Sequence, residues 1–369
     1  MSCKKKFCFL LYCVKIIKGY TNYNLKGLDR VKKRVNWLLF IVALFLLMSC
    51  SKNEVPSSKQ TDTKDLEKTE TKEEESKYTY PLTGLPTDKK PENRAVTVMV
   101  NNHPEGRPQS GLTKADLVFE ILAEGGVTRF LAVFQSEKPE MIGPVRSARP
   151  YYVEVAKGLD ALYVHHGWSE KAQKMLESGY VDSLNGLFYD GTLFERSSKR
   201  KAPHNSYITY DHIEEGAEEE NFSMVGAPEP YVFLKEDEEV GGTEQSSATI
   251  SYSTKTFEVR YEYDPASSTY KRFSAGAQTV DNETGDPVLL NNIFIVETNH
   301  RTIDSYGLLD IDLTSGGRAF LLQKGKLQEI QWENQDGRIV PYLNGKEVPL
   351  VPGKTWINIV PDLDKMVQF

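Results

Sequence analysis

The feature that most constrains this chain is an apolar run of twelve residues, 37–48, that stops in front of Ser49-Cys50. A membrane-spanning helix needs roughly 20 such residues, whereas the apolar core of a signal peptide needs roughly 7–15. A basic stretch, KKR at 32–34, precedes the run. The layout predicts a bacterial lipoprotein signal rather than a buried core helix, with Cys50 as the lipidated first residue of the exported protein. The Cys50 thiolate is the nucleophile that can accept the lipid.

Residues 1–30 are Lys-rich and aromatic-rich, unlike the rest of the chain, and contain Cys3, Cys8 and Cys13. Val31 stands directly before the basic stretch, as an initiator would. We therefore expect translation to start at Val31 through an alternative start codon, the other reading being a long basic leader before the signal.

Cleavage before Cys50 would leave a chain with no other cysteine, which excludes a disulfide framework, a cysteine zinc site and a thiol nucleophile. Residues 1–50 hold ten Lys+Arg and one Asp+Glu, so the remainder has 35 basic and 51 acidic residues and a net charge near −16. Nucleic-acid binding and a basic membrane-binding face both require clustered Lys and Arg. The composition predicts no nucleic-acid partner and attachment to the membrane through the lipid alone, on the outer face of the cytoplasmic membrane.

Residues 51–79 are dominated by Ser, Thr, Lys, Glu and Asp, and predict a disordered tether because they cannot bury enough apolar surface to fold. The rest predicts an α+β protein: an N-terminal domain at 80–228 with a mixed sheet and flanking helices, then a smaller β-rich domain at 229–369. In the first domain we expect strands at 95–100, 116–122, 128–134 and 161–164, and helices at 148–157, 169–177 and 209–220.

In the second domain the pattern predicts no long helix, and a small twisted sheet or an open barrel. Residues 257–263 alternate between apolar and polar, as a half-buried strand does. Residues 319–332 predict a hairpin about Gly325-Lys326, and Asn344-Gly345 is a pair typical of a tight turn.

Several polar motifs of the first domain fall on predicted loops and strand ends. Arg146 and Arg149 flank Ser147, which we expect to cap the helix at 148–157. Guanidinium groups beside a helix N-terminus suit an anion such as phosphate, pyrophosphate or a uronic carboxylate. Arg107 and Arg129 are candidates to join this site. The alternative is a structural network in which the arginines pair with Glu120, Glu124 and Glu154.

His165 and His204 complete the candidate ligand-binding residues, since each lies in a polar motif of the same domain. No HExxH or His-x-His spacing is present, so we predict neither a metal nor another cofactor. Ser110 and Ser169 do not lie in a Gly-x-Ser-x-Gly motif, which argues against a serine hydrolase. His204, next to Asn205, could instead fix its loop through hydrogen bonds.

Taken together, these motifs resemble the YerB-like lipoproteins of Gram-positive bacteria over roughly residues 80–369. The segments that carry the resemblance are PLTGL (81–85), RPQSG (107–111), EGGVTRF (124–130), GPVRSAR (143–149), APHN (202–205) and PGKTWI (352–357). The family pattern His-x-Gly-x-Ser is matched by His165, Gly167 and Ser169, with Trp168 where a small residue is usual. The resemblance implies a two-domain envelope lipoprotein whose biochemical activity is unassigned.

Two functions follow as alternatives. The first is a non-enzymatic envelope lipoprotein that binds a ligand or acts as an accessory factor, because the sequence contains no complete catalytic constellation. The second is an enzyme acting on lipid-linked or cell-wall phosphate, loosely like the LytR–CpsA–Psr phosphotransferases. That analogy is at the level of fold, and it requires carboxylates for a divalent ion, for which Asp116 and Glu120 are candidates.

The lipoprotein signal predicts that Cys50→Ser abolishes both lipid attachment and processing of the precursor, because serine lacks the thiolate that accepts the lipid. Metabolic labelling with a fatty acid, followed by a mobility assay of the precursor, measures both. Ser57→Ala, a few residues after Cys50, is the matched control and should label normally. Labelled Cys50→Ser protein would contradict the assignment.

Overall fold

The computed structural model describes residues 77–369. The leader, the start at Val31, the lipidation site and most of the tether therefore lie outside the described residues. Two short strands open the described chain and pair with each other, β1 (Tyr78–Thr79) and β2 (Pro86–Thr87). The tether prediction to residue 79 thus overlaps the first strand at its end.

The β-branched and aromatic runs of the first domain form strands where expected. In chain order the strands are β3 (Val96–Asn101), β4 (Leu117–Leu122), β5 (Thr128–Phe134), β6 (Leu162–His165), β7 (Ser183–Asn185), β8 (Phe194–Arg196) and β9 (Ser206–Ile208). The hairpin about Gly125-Gly126 joins antiparallel β4 and β5 through a short 3₁₀ turn, Glu124–Gly126. Strands β8 and β9 form a separate two-stranded sheet.

Three helices accompany these strands, α1 (Pro150–Gly158), α2 (Glu170–Glu177) and α3 (Tyr210–Glu219). Thr209 caps α3 by accepting a hydrogen bond from the backbone N–H of His212 at 3.1 Å. The prediction that Ser147 caps the first helix is wrong, because α1 begins at Pro150 and Arg149 occupies its N-cap position. Ser169 does stand at the N-cap of α2, but its side chain makes no capping bond.

The second domain is strand-rich, with one short helix, α4 (Leu363–Met366), in its described residues. Its strands are β10 (Thr243–Glu244), β11 (Ser247–Ser251), β12 (Glu258–Asp264), β13 (Thr269–Ser274), β14 (Ala277–Gln278), β15 (Leu289–Leu290), β16 (Asn292–Glu297), β17 (His300–Thr302), β18 (Leu309–Ile311), β19 (Gly317–Gln323), β20 (Lys326–Gln335), β21 (Arg338–Leu343), β22 (Lys346–Glu347), β23 (Thr355–Val360) and β24 (Val367–Gln368). Both predicted hairpins are present, β19–β20 and β21–β22. The α+β fold class is confirmed.

The sequence pattern suggested that the second domain forms one separate sheet or barrel. In the structure its strands are instead divided among several sheets. Strand β23 runs parallel to β4 and joins β16 and β19–β22 to the same sheet as β3–β7, in the order β22-β21-β20-β19-β16-β23-β4-β5-β3-β6-β7. Strand β10, which pairs with β20 beside this path, is the twelfth strand of the sheet. Strands β11–β15 and β24 form a six-stranded sheet, and β17 and β18 form a separate two-stranded one. Sequence regions far apart in the chain thus share one sheet.

Both faces of the central strands of the large sheet are covered, which explains why these strands are nearly continuous apolar runs in the sequence. On β4, Leu117, Phe119 and Ile121 face a core that contains helix α1. The alternate positions face a second core, which contains Val118 and residues of the six-stranded sheet. Because strand side chains alternate between faces, Glu120 points into this second core.

Glu120 is fully buried there and is held by a dense set of donors. One carboxylate oxygen, Oε2, accepts from Arg272 Nη2 at 2.7 Å and from Trp356 Nε1 at 3.0 Å. The other, Oε1, accepts from Thr128 Oγ1 at 2.9 Å and from Asn102 Nδ2 at 3.3 Å. The Arg272 guanidinium lies 4.4 Å from the ring centroid of Trp356. This buried pair joins β4 of the large sheet to β13 of the smaller one.

We predict that Glu120→Gln destabilises the protein by about 3–5 kcal/mol, because Arg272 would remain charged and buried without a counter-charge. Chemical denaturation of wild type and variant, compared by midpoint and m-value, measures the change. Glu170→Gln is the control, since Glu170 pairs with Lys174 on the exposed face of α2 and should not matter measurably. A Glu120→Gln variant as stable as wild type would contradict the role of the pair.

Candidate functional site

Three of the predicted ligand residues converge on one carboxylate, and we call Arg129, Arg146, Arg149 and Glu124 the arginine cluster. Strand β5 carries Arg129, and the turn before it carries Glu124. Arg146 and Arg149 lie in the segment that leads into α1, which is tied to β3 by a bond from Arg146 N to Met99 O. The sheet register therefore brings together side chains that are up to 25 positions apart.

Glu124 is the shared partner of two of these arginines. Arg149 donates to it through Nε and, at 2.7 Å, through Nη2, while Arg129 Nη2 lies 3.2 Å from Oε2. Burial opposes ionisation of Glu124, but the hydrogen bonds from Arg149 and the charges of both arginines outweigh it and lower the pKa of Glu124. Glu124 is thus ionised and held in place. For Arg129 and Arg149 the structure therefore shows the pairing with a carboxylate that the sequence analysis gave as the alternative to a ligand site.

Arg146 is not neutralised in the same way. In the described part of the chain its hydrogen bond is from Nη1 to the carbonyl oxygen of Pro203, at 3.1 Å, and its buried Nε has no partner. Burial and the charges of Arg129 and Arg149 lower the pKa of Arg146 to about 10. The cluster thus contains three guanidinium groups and one carboxylate, which bonds to two of them, and it carries an excess of positive charge.

Ser147 lies in the cluster but does not act as expected. Its hydroxyl donates to the carbonyl oxygen of His166 at 3.0 Å, and its own carbonyl oxygen accepts from Arg129 Nη1 at 2.7 Å. The helix start offers few free donors, because Pro150 has no N–H and the N–H groups of Tyr152 and Val153 bond to Arg149. Any anion here would bind to side chains rather than to the N-terminus of α1.

His165 is fully buried at the end of β6 and faces away from solvent. Its Nδ1 lies 2.9 Å from the carbonyl oxygen of Gly167 and must donate to it, which leaves Nε2 as an acceptor without a partner among residues 77–369. Burial lowers the pKa of His165 to about 4. His165 is therefore a neutral, buried histidine that lies between Tyr163 and Trp168.

His204 lies beside Arg146 in the loop that contains Pro203 and stacks on His103, with ring centroids 4.6 Å apart. The potential ligand atoms of His103, Glu105 and His204 lie within 4.8 Å of one another, a grouping that the chain spacing did not indicate. We assign no metal to this group because of the hydrogen bonds that its two histidines make.

A neutral imidazole that binds a metal through Nε2 must carry its proton on Nδ1. In both histidines, however, Nδ1 accepts a hydrogen bond. Asn101 Nδ2 contacts Nδ1 of His204 at 2.7 Å, and the N–H of Glu105 donates to Nδ1 of His103 at 3.3 Å. Neutral rings with Nδ1 as acceptor carry their proton on Nε2, where a metal would have to bind. The stacking and the bond from Asn101 tie the loop of His204 to the end of β3.

Arg107 does not join the arginine cluster. It donates through Nε to the backbone oxygen of Asn102 at 3.0 Å and through Nη1 to that of Thr256 at 3.0 Å. The charges that act on it are those of Arg272 and Glu120. Arg272 itself was missed by the sequence reading, although the alternation of Tyr270, Arg272 and Ser274 on β13 placed it on the buried face.

An apolar surface borders the cluster. Leu187 and Phe188 are 55% and 71% exposed, and the Phe188 ring lies edge-on to Trp168 with centroids 5.8 Å apart. Gly167 connects this surface to the cluster: a Cβ there would lie 3.1 Å from Ser147 Oγ and 4.0 Å from Leu187 Cδ1. An exposed patch of large apolar side chains at a charged site is typical of an interaction surface.

The chain belongs to the family described as "Protein of unknown function (DUF3048)", whose N-terminal domain matches residues 82–223 and whose C-terminal domain matches residues 248–357. A similar protein from Bacillus subtilis (strain 168), named "Putative lipoprotein YerB", is 48% identical over 338 residues, which cover 90% of this chain and 97% of the relative. The crystal structure of YerB protein from Bacillus subtilis matches with a TM-score of 0.75 and 50% identity, over 79% of this chain and 100% of that one.

These comparisons confirm the resemblance that the motifs carried, and they support a lipoprotein of unassigned function. Within residues 77–369, none of the helices is long and apolar enough to cross a bilayer.

The buried His165 predicts a pH-dependent stability. Its folded pKa of about 4 lies below the unfolded value of 6.5, so the unfolded chain binds a proton first as the pH falls. Its contribution is complete above pH 6.5 and is lost progressively down to pH 4, with a slope of up to about 1.4 kcal/mol per pH unit. His165→Asn, whose amide can still donate to Gly167, should remove this slope from the free energy of unfolding. An unchanged slope between pH 6.5 and 4 would contradict the assignment.

Proposed function

We propose that this protein is an envelope lipoprotein, anchored through Cys50 on the outer face of the cytoplasmic membrane, which binds an anionic ligand at the arginine cluster. It acts there as a binding or accessory factor rather than through a catalytic constellation. The acidic character of the chain after Cys50 supports attachment through the lipid, since the net charge near −16 opposes adsorption to anionic lipids.

The observation that carries this proposal is the charge imbalance about Glu124. Arg129 and Arg149 are satisfied by that carboxylate, whereas Arg146 remains half-buried, with its Nε unpaired among the described residues. A second anion beside Arg146 would supply hydrogen-bond acceptors and would offset the repulsion between the three guanidinium groups. Guanidinium forks bind phosphate and carboxylate with this geometry.

The apolar surface of Trp168, Leu187 and Phe188 favours an amphiphilic anion over a fully polar one. A phosphate or pyrophosphate head could contact Arg146 while an attached apolar chain covers Phe188. Lipid-linked phosphates of the cell wall combine these features, and wall fragments that carry only a phosphate or a uronic carboxylate offer the head without the chain.

The second candidate, a phosphotransferase like the LytR–CpsA–Psr enzymes, receives less support. Both carboxylates proposed for its divalent ion are engaged. Asp116 accepts from the N–H groups of Gln135 at 2.6 Å and Ser136 at 2.9 Å, and also from the Ser136 hydroxyl. Glu120 is committed to Arg272 and Trp356. A metal would have to displace these partners at buried positions.

Binding of undecaprenyl phosphate to the mature lipidated protein in zwitterionic nanodiscs tests the proposal. We expect saturable binding that Arg146→Gln weakens by about tenfold or more, the range for a lost charged hydrogen bond. Arg318→Gln is the control, because Arg318 pairs with exposed Asp364. Thermal melts verify that each variant is folded.

Inorganic phosphate and undecaprenol separate the contributions of the head and the chain. If undecaprenyl phosphate fails to bind, or binds Arg146→Gln as tightly as wild type, the arginine cluster is not the ligand site. Binding of undecaprenol alone would show that the apolar surface acts without the arginines.

A further inference from the structure

A second group of polar atoms is left unsatisfied away from the arginine cluster. A cleft of about 350 Å³ opens between the loop that follows β3 and the edge of the six-stranded sheet. Arg107 lines it from the loop, and Arg272, Ser274 and Thr279 line it from β13 and the turn beyond β14. The two sides belong to the two family domains, so the cleft exists only where both meet.

Three donors on these lining residues have no hydrogen-bond partner within the part of the chain that the structure describes. They are Nη2 of Arg107, Nε of Arg272 and the hydroxyl of Ser274, each buried at the atom. Arg272 is 1% exposed and Ser274 is 7% exposed. Buried donors are almost always paired in folded proteins. Several unpaired donors about one cleft therefore indicate a missing acceptor.

The remaining atoms of the two arginines are fixed, so the free donors are held in place. Arg272 donates through Nη1 to Thr279 Oγ1 at 2.7 Å and through Nη2 to Glu120. Arg107 lies over the ring of Phe257, with its guanidinium carbon 5.3 Å from the centroid. A site whose donors are already oriented loses little conformational entropy when a ligand binds.

The charge at the cleft is also unbalanced. Two guanidinium groups face one buried carboxylate, Glu120, which leaves one net positive charge. Burial and the nearby charge of Arg272 lower the pKa of Arg107 to about 10, and the charge of Glu120 offsets this only in part. A bound anion would restore neutrality.

We propose that this cleft is a binding site for a small organic carboxylate, with its head on Arg107, Arg272 and Ser274 and a compact apolar body. The body is inferred from the rest of the lining, which includes Pro108, Ala277 and Val280. The volume lies in the range of small-molecule sites. The site shares no residue with the arginine cluster, so it stands whether or not that cluster binds an anion.

Hexanoate is the probe, hexanamide is its neutral isostere, and inorganic phosphate is the purely polar anion. Binding to the mature lipidated protein in zwitterionic nanodiscs is followed by thermal shift in a low-chloride buffer and by protein-observed NMR. We expect hexanoate to raise the melting temperature saturably and to shift resonances of Ser274 and Ala277, while hexanamide does neither.

Two variants test the geometry. Arg107→Gln should weaken hexanoate binding by about tenfold or more. Ala277→Phe, at an exposed position on the cleft wall, should block the apolar body without touching the arginines. Arg146→Gln is the control that separates this site from the arginine cluster, and it should bind hexanoate as wild type does.

The proposal is overturned if hexanoate and hexanamide behave alike, or if Arg107→Gln and Ala277→Phe both bind hexanoate normally while folded. Phosphate binding with no hexanoate binding would overturn the organic carboxylate. Loss of hexanoate binding in Arg146→Gln would transfer the ligand to the arginine cluster and would also overturn the proposal.

Discussion

The buried pair of Glu120 and Arg272 is the interaction on which the arrangement of the two sheets depends. Glu120 lies on the large sheet, Arg272 on the six-stranded sheet, and Trp356, which donates to Glu120, on the strand that the second family domain contributes beside β4. An unpaired charge in this core would be costly, whereas the paired and hydrogen-bonded charge is tolerated. The two sheets therefore have to dock in the register that brings these three residues together.

The same consideration separates arginines whose charge is balanced by a carboxylate from arginines whose charge is not. At Glu120 one guanidinium, two hydroxyl or amide donors and an indole satisfy the carboxylate completely. At Glu124 three guanidinium groups compete for one carboxylate, and Arg146 is left over. Arg107 is left over in the same way beside Glu120. The charge balance, more than the number of arginines, distinguishes the two positions where an anion would be favourable.

Much of the fold was predictable because strands and turns are local. Alternation and β-branched runs located β3, β4 and β5, and Gly or Asn-Gly pairs located their turns. The start of α1 was wrong because the Ser147 hydroxyl bonds to His166, a contact with a neighbouring segment that competes with capping. The site was predictable in part: Arg129, Arg146 and Arg149 do converge, but Arg107 was grouped with them although it lies at Arg272, and Arg272 itself was overlooked.

The amino-acid pattern alone accounts for the signal-like N-terminus, the acidic and cysteine-free composition after Cys50, and the order of strands and helices along the chain. These properties depend on residues that are neighbours or one period apart. Tertiary structure decided the insertion of β23 beside β4 and the choice of carboxylate for each arginine. Both depend on contacts between side chains that are not sequence neighbours, from 25 residues apart for Glu124 and Arg149 to more than a hundred for Glu120 and Arg272, and no local pattern records such contacts.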